Sequence, residues 1–247
     1  TKNNGVGILM LDSPKRKNAL NSEDMLLIRD ILSREAQSDI YSLIISGSGD
    51  VFCSGADLSE IISIIGKHKK DQELQSNDMS KLCDAIQNFP LPTVCALNGS
   101  AYGGGVEIAC ACDFRIAVSN IEIMVPPAKI GIHYHPAGIK RFLYIFGAST
   151  TKRLLLTATK MSEKELKNVG FFDEIINEGE NVIERAHDFI KLCKELSPEA
   201  VRGMKLSINN IVMDSVNTQS FNSRIKETLE SRYLERQLKF IKEKNSQ

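Results

Sequence analysis

The stretch NGSAYGGGVEIA (98–109) holds the residue types best placed for chemistry. Gly103, Gly104 and Gly105 lead directly into an apolar run that reads as a helix from about residue 103. A helix N-terminus presents unpaired N–H donors at the positive end of its dipole, and glycines there let a ligand oxygen come within hydrogen-bond reach. Glu107 follows with only Val106 between, which puts a carboxylate in the first helical turn beside those donors. Such a carboxylate suits a general acid or base working on the atom next to a gripped carbonyl. Taken by itself, Glu107 also reads as a solvated glutamate favoured by the helix dipole. A second loop, GSGDVFCSGADL (47–58), is rich in small residues, and two such loops face to face would form an oxyanion hole. Either loop alone is equally compatible with a tight turn.

Other candidates are thinner. His133 and His135 form H-x-H in IGIHYHPAG, but no third ligand stands nearby at suitable spacing, so no metal is expected. Tyr134 between them reads as a packing residue, and Asp113 at the end of the helix after the glycines as structural. Lys15, Arg16 and Lys17 make a basic turn ahead of a helix; it would touch phosphate only if the glycine loops lie close in space. Nucleotide-fold motifs fail: GSGDVF has Phe52 in place of the third glycine of G-x-G-x-x-G, and neither a P-loop nor a G-x-S-x-G elbow occurs.

The elements that must position these loops alternate in type. GVGILML (5–11), YSLIIS (41–46), TVCAL (93–97), FRIAV (114–118) and IEIM (121–124) read as strands. Helices are expected at 22–37, where Met25, Leu26, Ile28, Ile31 and Leu32 recur at helical spacing, and around 76–89, before the prolines of FPLPT. Strand–helix alternation argues for a mixed α/β core with parallel crossovers. From about Glu180 the pattern is helix alone, over 180–195, 198–213 and 217–243, so residues 1–179 read as the core and 180–247 as a helical lid or assembly region.

The chain has 247 residues, 42% of them hydrophobic, enough for one large domain with a true core. Thirty-one Lys and Arg offset 31 Asp and Glu, so no basic field points to nucleic acid or an anionic membrane. No apolar run approaches the roughly 18 residues of a membrane span. Six cysteines without a C-x-x-C pair, mostly in apolar stretches, fit free thiols in a reducing compartment. The expectation is a soluble protein that is not secreted: cytoplasmic in a bacterium, or in the mitochondrial matrix or peroxisome of a eukaryote. The chain opens at Thr1 inside a strand-like segment, which leaves room for residues upstream.

In this order and spacing, KRKNALN (15–21), FCSGADL (52–58), NGSAYGGGVEIACACDFRIA (98–117) and the KIG step at 129–131 resemble the crotonase (enoyl-CoA hydratase/isomerase) superfamily, from about Gly5 to Lys244. The resemblance implies an α/β fold with a repeated ββα spiral core and a C-terminal helical region used for trimerisation, giving homotrimers or homohexamers. It also implies a CoA-thioester substrate, acyl- or enoyl-CoA, and no separate cofactor. By position, the N–H groups of Ala56 and Gly104 would hold the thioester oxygen, and Glu107 matches the first of two catalytic glutamates in hydratases. Lys17, Ala19 and Ser54 fall where the CoA pyrophosphate and adenine are contacted; Asp57, Gly103 and Pro127 complete the substrate-contacting positions. Pro127 occupies the place of the second glutamate, which puts hydration in question but leaves proton transfer on an enolate open. The step PPAKIGIHYHPAGI (126–139) further resembles bacterial methylmalonyl-CoA decarboxylases, which share the Pro and a Tyr at Tyr134 but carry His where Ala56 stands. Decarboxylation, with Tyr134, as a catalytic residue, or water protonating the product enolate, or a non-catalytic role in binding CoA or RNA, are the competing expectations.

Overall fold

The computed structural model describes residues 1–67, 78–196, 198–213 and 239–244. A short hairpin, β1 (Lys2–Asn3) and β2 (Val6–Leu11), leads through a 3-10 turn at Pro14–Arg16 to α1 (Ser22–Glu35). Then a unit of two strands and a helix recurs: β3 (Ser42–Gly47), β4 (Val51–Cys53) and α2 (Leu58–Lys67) form the first, followed by α3 (Asp78–Gln87). The second is β5 (Thr93–Leu97), β6 (Ser100–Tyr102) and α4 (Gly104–Ala111). The third is β7 (Phe114–Ala117), β8 (Glu122–Met124) and α5 (Pro136–Lys152). β9 (Met161–Ser162), α6 (Glu163–Asn168), β10 (Glu174–Ile175), α7 (Val182–Ile190) and α8 (Pro198–Met213) follow.

Within each unit the two strands enter different sheets. One sheet runs β1-β2-β3-β5-β7-β10 and the other β4-β6-β8-β9, so every ββα repeat advances both sheets by one strand. The pairings β2–β3, β3–β5, β5–β7 and β7–β10 are all parallel, with Ile44 opposite Val94 and Ala96 opposite Ile116. The strand–helix alternation anticipates the mixed α/β core with parallel crossovers, and the superfamily resemblance implies its ββα spiral.

Parallel strands covered on both faces must be apolar on both faces. SLIISG in β3 and TVCAL in β5 are buried at every position. On one face Leu43, Ile45, Cys95 and Leu97 join a cluster with Met25, Ile28 and Leu32 of α1 and Leu82 and Ile86 of α3. On the other, Ile44, Val94, Ala96 and Ile116 meet Val182, Ala186 and Ile190, the four-residue repeat of one face of α7. The first helix after residue 180 thus completes the sheet's cover, while α8 is reached from the core through Lys205, whose Nζ lies 2.6 Å from Asp113.

The expected strands and the helices at 22–37 and 76–89 are present within a few residues. α1 begins where its capping box demands: Asn21 accepts from the Asp24 N–H, and Asp24 accepts from the Asn21 N–H. The glycine loops at 47–58 and 98–109 each contain a three-residue strand, β4 and β6, too short to show a period. α5 was not anticipated at all. The helix expected at 217–243 lies largely outside the described residues.

Candidate active site

Parallel pairing of β4 with β6 carries the two glycine loops to the same edge. Gly55 follows β4 with a φ of 89°, and Gly103 follows β6 with a φ of 52°, conformations that side chains rarely tolerate. A Cβ on Gly55 would lie 2.5 Å from the Gly104 nitrogen, and one on Gly105 would lie 2.2 Å from the Cys53 carbonyl oxygen. The loops therefore touch backbone to backbone, and only glycine fits at the contact.

Neighbouring peptide groups are committed to holding this arrangement. Leu20 N–H donates to the Gly55 carbonyl at 2.8 Å, Asp57 N–H to the Leu20 carbonyl at 2.8 Å, and Gly103 N–H to the Met124 carbonyl at 2.9 Å. No acceptor among the described residues takes the N–H of Ala56 or of Gly104. These two donors, one at the N-terminus of α4, sit on the loops that touch at Gly55 and Gly104.

Glu107 lies on α4, whose eight residues are all buried, and is itself only 1% exposed. This excludes the solvated glutamate that its sequence position also allowed. Its Oε2 accepts from the Tyr134 hydroxyl at 2.8 Å and its Oε1 from Arg141 Nη1 at 2.7 Å. Burial raises the Glu107 pKa above the ordinary carboxylate range; Arg141 and the two hydrogen bonds pull it back without cancelling the desolvation. Burial, reinforced by the nearby Glu107 charge, pushes the Tyr134 hydroxyl well up, so it remains an O–H donor at neutral pH. Tyr134 is therefore more than a packing residue.

The tyrosine reaches the carboxylate because α5 offers no side chain in its path. A Cβ on Gly138 would fall 2.4 Å from Tyr134 Cε1 and 2.9 Å from Glu107 Cδ. Arg141, one turn further along α5 and 2% exposed, also donates from Nε to Gln87 Oε1 at 2.9 Å and from Nη2 to Asp84. Sequence reasoning missed Gly138, Arg141, Asp84 and Gln87. A usable signal was present: Arg141 stands three residues from Gly138 and beside Phe142, both buried, and a cation on an apolar helix face needs an anion opposite.

The basic turn does lie on the glycine loops. Ser54 N–H donates to the Lys17 carbonyl at 3.0 Å, and Ser54 Oγ to the Arg16 carbonyl at 3.4 Å. Asn18, another residue the sequence reading did not single out, fastens the two segments from a positive φ of 54°. Its Nδ2 donates to the carbonyls of Ser48, Val51 and Phe52 at 2.9, 2.8 and 3.1 Å, and its Oδ1 accepts from Ser13 N–H at 2.9 Å. Arg16 is committed to Asp57 at 3.2 Å and Asp24 at 3.4 Å, whereas Lys17 is exposed and Ala19 half-buried beside it. Asp57 thus bonds the basic turn through its side chain while its N–H holds Leu20.

Pro127 opens a 3-10 turn, 127–130, that follows β8, and its carbonyl accepts from Ile132 N–H at 2.9 Å. His135 caps α5, its Nδ1 accepting from Ala137 N–H at 3.3 Å, and His133 Nδ1 lies 2.7 Å from the Tyr134 carbonyl oxygen. Among the described residues no group of three or more His, Cys, Asp and Glu could hold a metal ion.

A family profile described as enoyl-CoA hydratase/isomerase matches residues 1–239. The chain is 30% identical over 224 residues to the enoyl-CoA isomerase/hydratase fer4 of Mycosarcoma maydis, covering 83% of this chain and 77% of that protein. It is also 30% identical over 210 residues to the ethylmalonyl-CoA decarboxylase of Mus musculus, covering 84% of this chain and 65% of that one. Among solved structures, a methylmalonyl-CoA decarboxylase in complex with 2-nitronate-propionyl-CoA superposes with a TM-score of 0.88 over 99% of this chain and 94% of the other; the 20% identity makes this a likeness of fold. With two glycine loops meeting over a buried glutamate and a profile spanning nearly the whole sequence, the chain belongs to the enoyl-CoA hydratase/isomerase family.

Proposed function

We propose that the protein is an enzyme of acyl- or enoyl-CoA thioesters that stabilises a thioester enolate and moves a proton on it, within the hydratase/isomerase group. The observation that carries this reading is the contact of Gly55 with Gly104, beside which the Ala56 and Gly104 N–H groups have no acceptor among the described residues. Negative charge developing on a thioester oxygen there meets two fixed donors and the α4 dipole, and losing one such donor typically costs about 10²–10³ in rate. Glu107 would take or return the proton, with the Tyr134 hydroxyl relaying it from Oε2. Lys17, Ala19 and Ser54 would meet the CoA pyrophosphate and adenine, with Asp57 holding the basic turn in place and Gly103 and Pro127 bordering the acyl portion. Nothing in this chemistry calls for a cofactor beyond the thioester.

A second reaction, decarboxylation of a malonyl-type thioester, draws support from Glu107 itself. Both its oxygens are already engaged, and Pro127 supplies no second carboxylate to activate water. Loss of carbon dioxide generates the enolate without a base, so a clamped carboxylate is no handicap there. The ethylmalonyl-CoA decarboxylase relative fits the same reaction. We further propose assembly as a homotrimer or homohexamer through the C-terminal helices, in keeping with the exposed Met204, Leu206, Ile208 and Ile211 on α8.

Incubation with crotonyl-CoA, a 3-enoyl-CoA and methylmalonyl-CoA, followed by mass analysis of the thioesters, separates the outcomes. A gain of water marks hydration, an unchanged mass with altered retention marks isomerisation, and loss of one carbon dioxide marks decarboxylation. Failure to transform or bind any CoA thioester would overturn the proposal.

A further inference from the structure

The guanidinium of Arg141 sits inside the protein with one nitrogen for each of three acceptors. Nη1 bonds Glu107 on α4, while Nε and Nη2 bond Gln87 and Asp84 on α3. α3 is itself pinned at that end, where Asn209 of α8 donates to the Gln87 carbonyl at 2.7 Å. We propose that Arg141 is the positioning residue of the Glu107 site: held from α3, it fixes Oε1, leaves Oε2 for Tyr134, and sets a positive charge against the buried carboxyl. This rests on the reading of Glu107 as the proton-transfer group and adds what that reading lacks, the group that holds and orients a carboxylate only 1% exposed.

The balance of charge is open to test because its terms have opposite signs. Glu107 is faced by Arg141 and Tyr134 from α5 and the turn before it, by Cys83 and Asp84 from α3, and by Cys110 from its own helix. Arg141 favours the charged carboxylate and Asp84 opposes it. A residue that merely filled space would give neither sign.

The experiment is a carbon-13 titration of the Glu107 carboxyl in the full-length protein, which needs no substrate, alongside turnover of the three thioesters. Arg141→Gln should raise the Glu107 pKa by about one to three pH units, the usual effect of an opposite charge at close range, and lower kcat at neutral pH with KM nearly unchanged. Arg141→Lys should restore it most of the way. Should Arg141→Gln fail to fold, Arg141→Lys still decides: it keeps the charge, so the Glu107 pKa should stay near its wild-type value, while kcat falls because one ammonium cannot hold three acceptors as the planar guanidinium does. A Glu107 pKa that stays put in a folded Arg141→Gln protein, or wild-type kcat in Arg141→Lys, overturns the positioning role. Full turnover by Glu107→Gln overturns instead the acid–base reading on which it rests.

Discussion

Replacing Gly55 by alanine tests the contact on which the site is built. The new Cβ would lie 2.5 Å from the Gly104 nitrogen, 3.0 Å from the Tyr102 carbonyl oxygen and 3.2 Å from Gly104 Cα, all backbone atoms that cannot swing aside. Holding alanine in a left-handed conformation costs about 1–2 kcal/mol. Forcing the loops apart adds about 1–3 kcal/mol, the usual range for an overfilled interior. Gly170 supplies the control, because its φ of 70° carries the first cost while a Cβ there meets nothing within 4 Å. Urea denaturation should therefore place Gly55→Ala below Gly170→Ala in stability by about 1–3 kcal/mol. Turnover should fall about 10²–10³-fold in Gly55→Ala alone, since separating the loops separates the Ala56 and Gly104 donors. Equal stabilities, with wild-type turnover in both variants, would refute the argument that backbone contact between the loops creates the oxyanion site.

Gly138→Ala should displace the Tyr134 ring, which a Cβ would meet at 2.4 Å, lowering stability by about 1–3 kcal/mol and reducing kcat; an unaltered melting temperature and rate would contradict the packing of α5. Cys53 is wholly buried and its thiol is pushed up to about 12 by desolvation, so in the native protein iodoacetamide at pH 8 should modify the part-exposed Cys193 ahead of it. Peptide mapping that finds Cys53 labelled first would count against that burial. Lys17→Glu should weaken CoA binding by calorimetry, more so at low salt, as a phosphate contact requires; an unchanged affinity removes Lys17 from the site.

The parts of this protein that were readable from sequence are those where one residue type has one physical reason to be there. Apolar runs such as TVCAL had to be buried strands, and Glu107 after three glycines had to enter a helix N-terminus. The superfamily resemblance then linked Ala56 to Gly104, residues 48 positions apart in the chain, which spacing alone does not do. β4 and β6 escaped because three residues show no period, and each strand's role lies in which sheet it joins. Arg141 escaped for a different reason. A basic residue on a helix is ordinarily solvated, and only the packing of α3 and α4 around it turns its charge inward. Asn18 likewise looks like one more turn residue until its left-handed backbone aims the amide at three carbonyls. α7 reads as part of a helical tail, and only tertiary packing shows that its apolar face covers the six-stranded sheet.

The pH dependence of kcat/KM for wild type and Glu107→Gln, on whichever CoA thioester the protein transforms, bears most directly on the central claim. Because burial raises the Glu107 pKa, the ionised base is lost as pH falls through that raised value, so the acid limb of the wild-type profile should lie above the roughly 4.3 of an ordinary glutamate. Glu107→Gln should lack that limb and run about 10²-fold slower or worse across the range, with CoA binding retained. A glutamine variant that follows the wild-type profile in both height and shape would contradict the account, leaving Glu107 a buried partner for Arg141 and Tyr134 with no part in proton transfer.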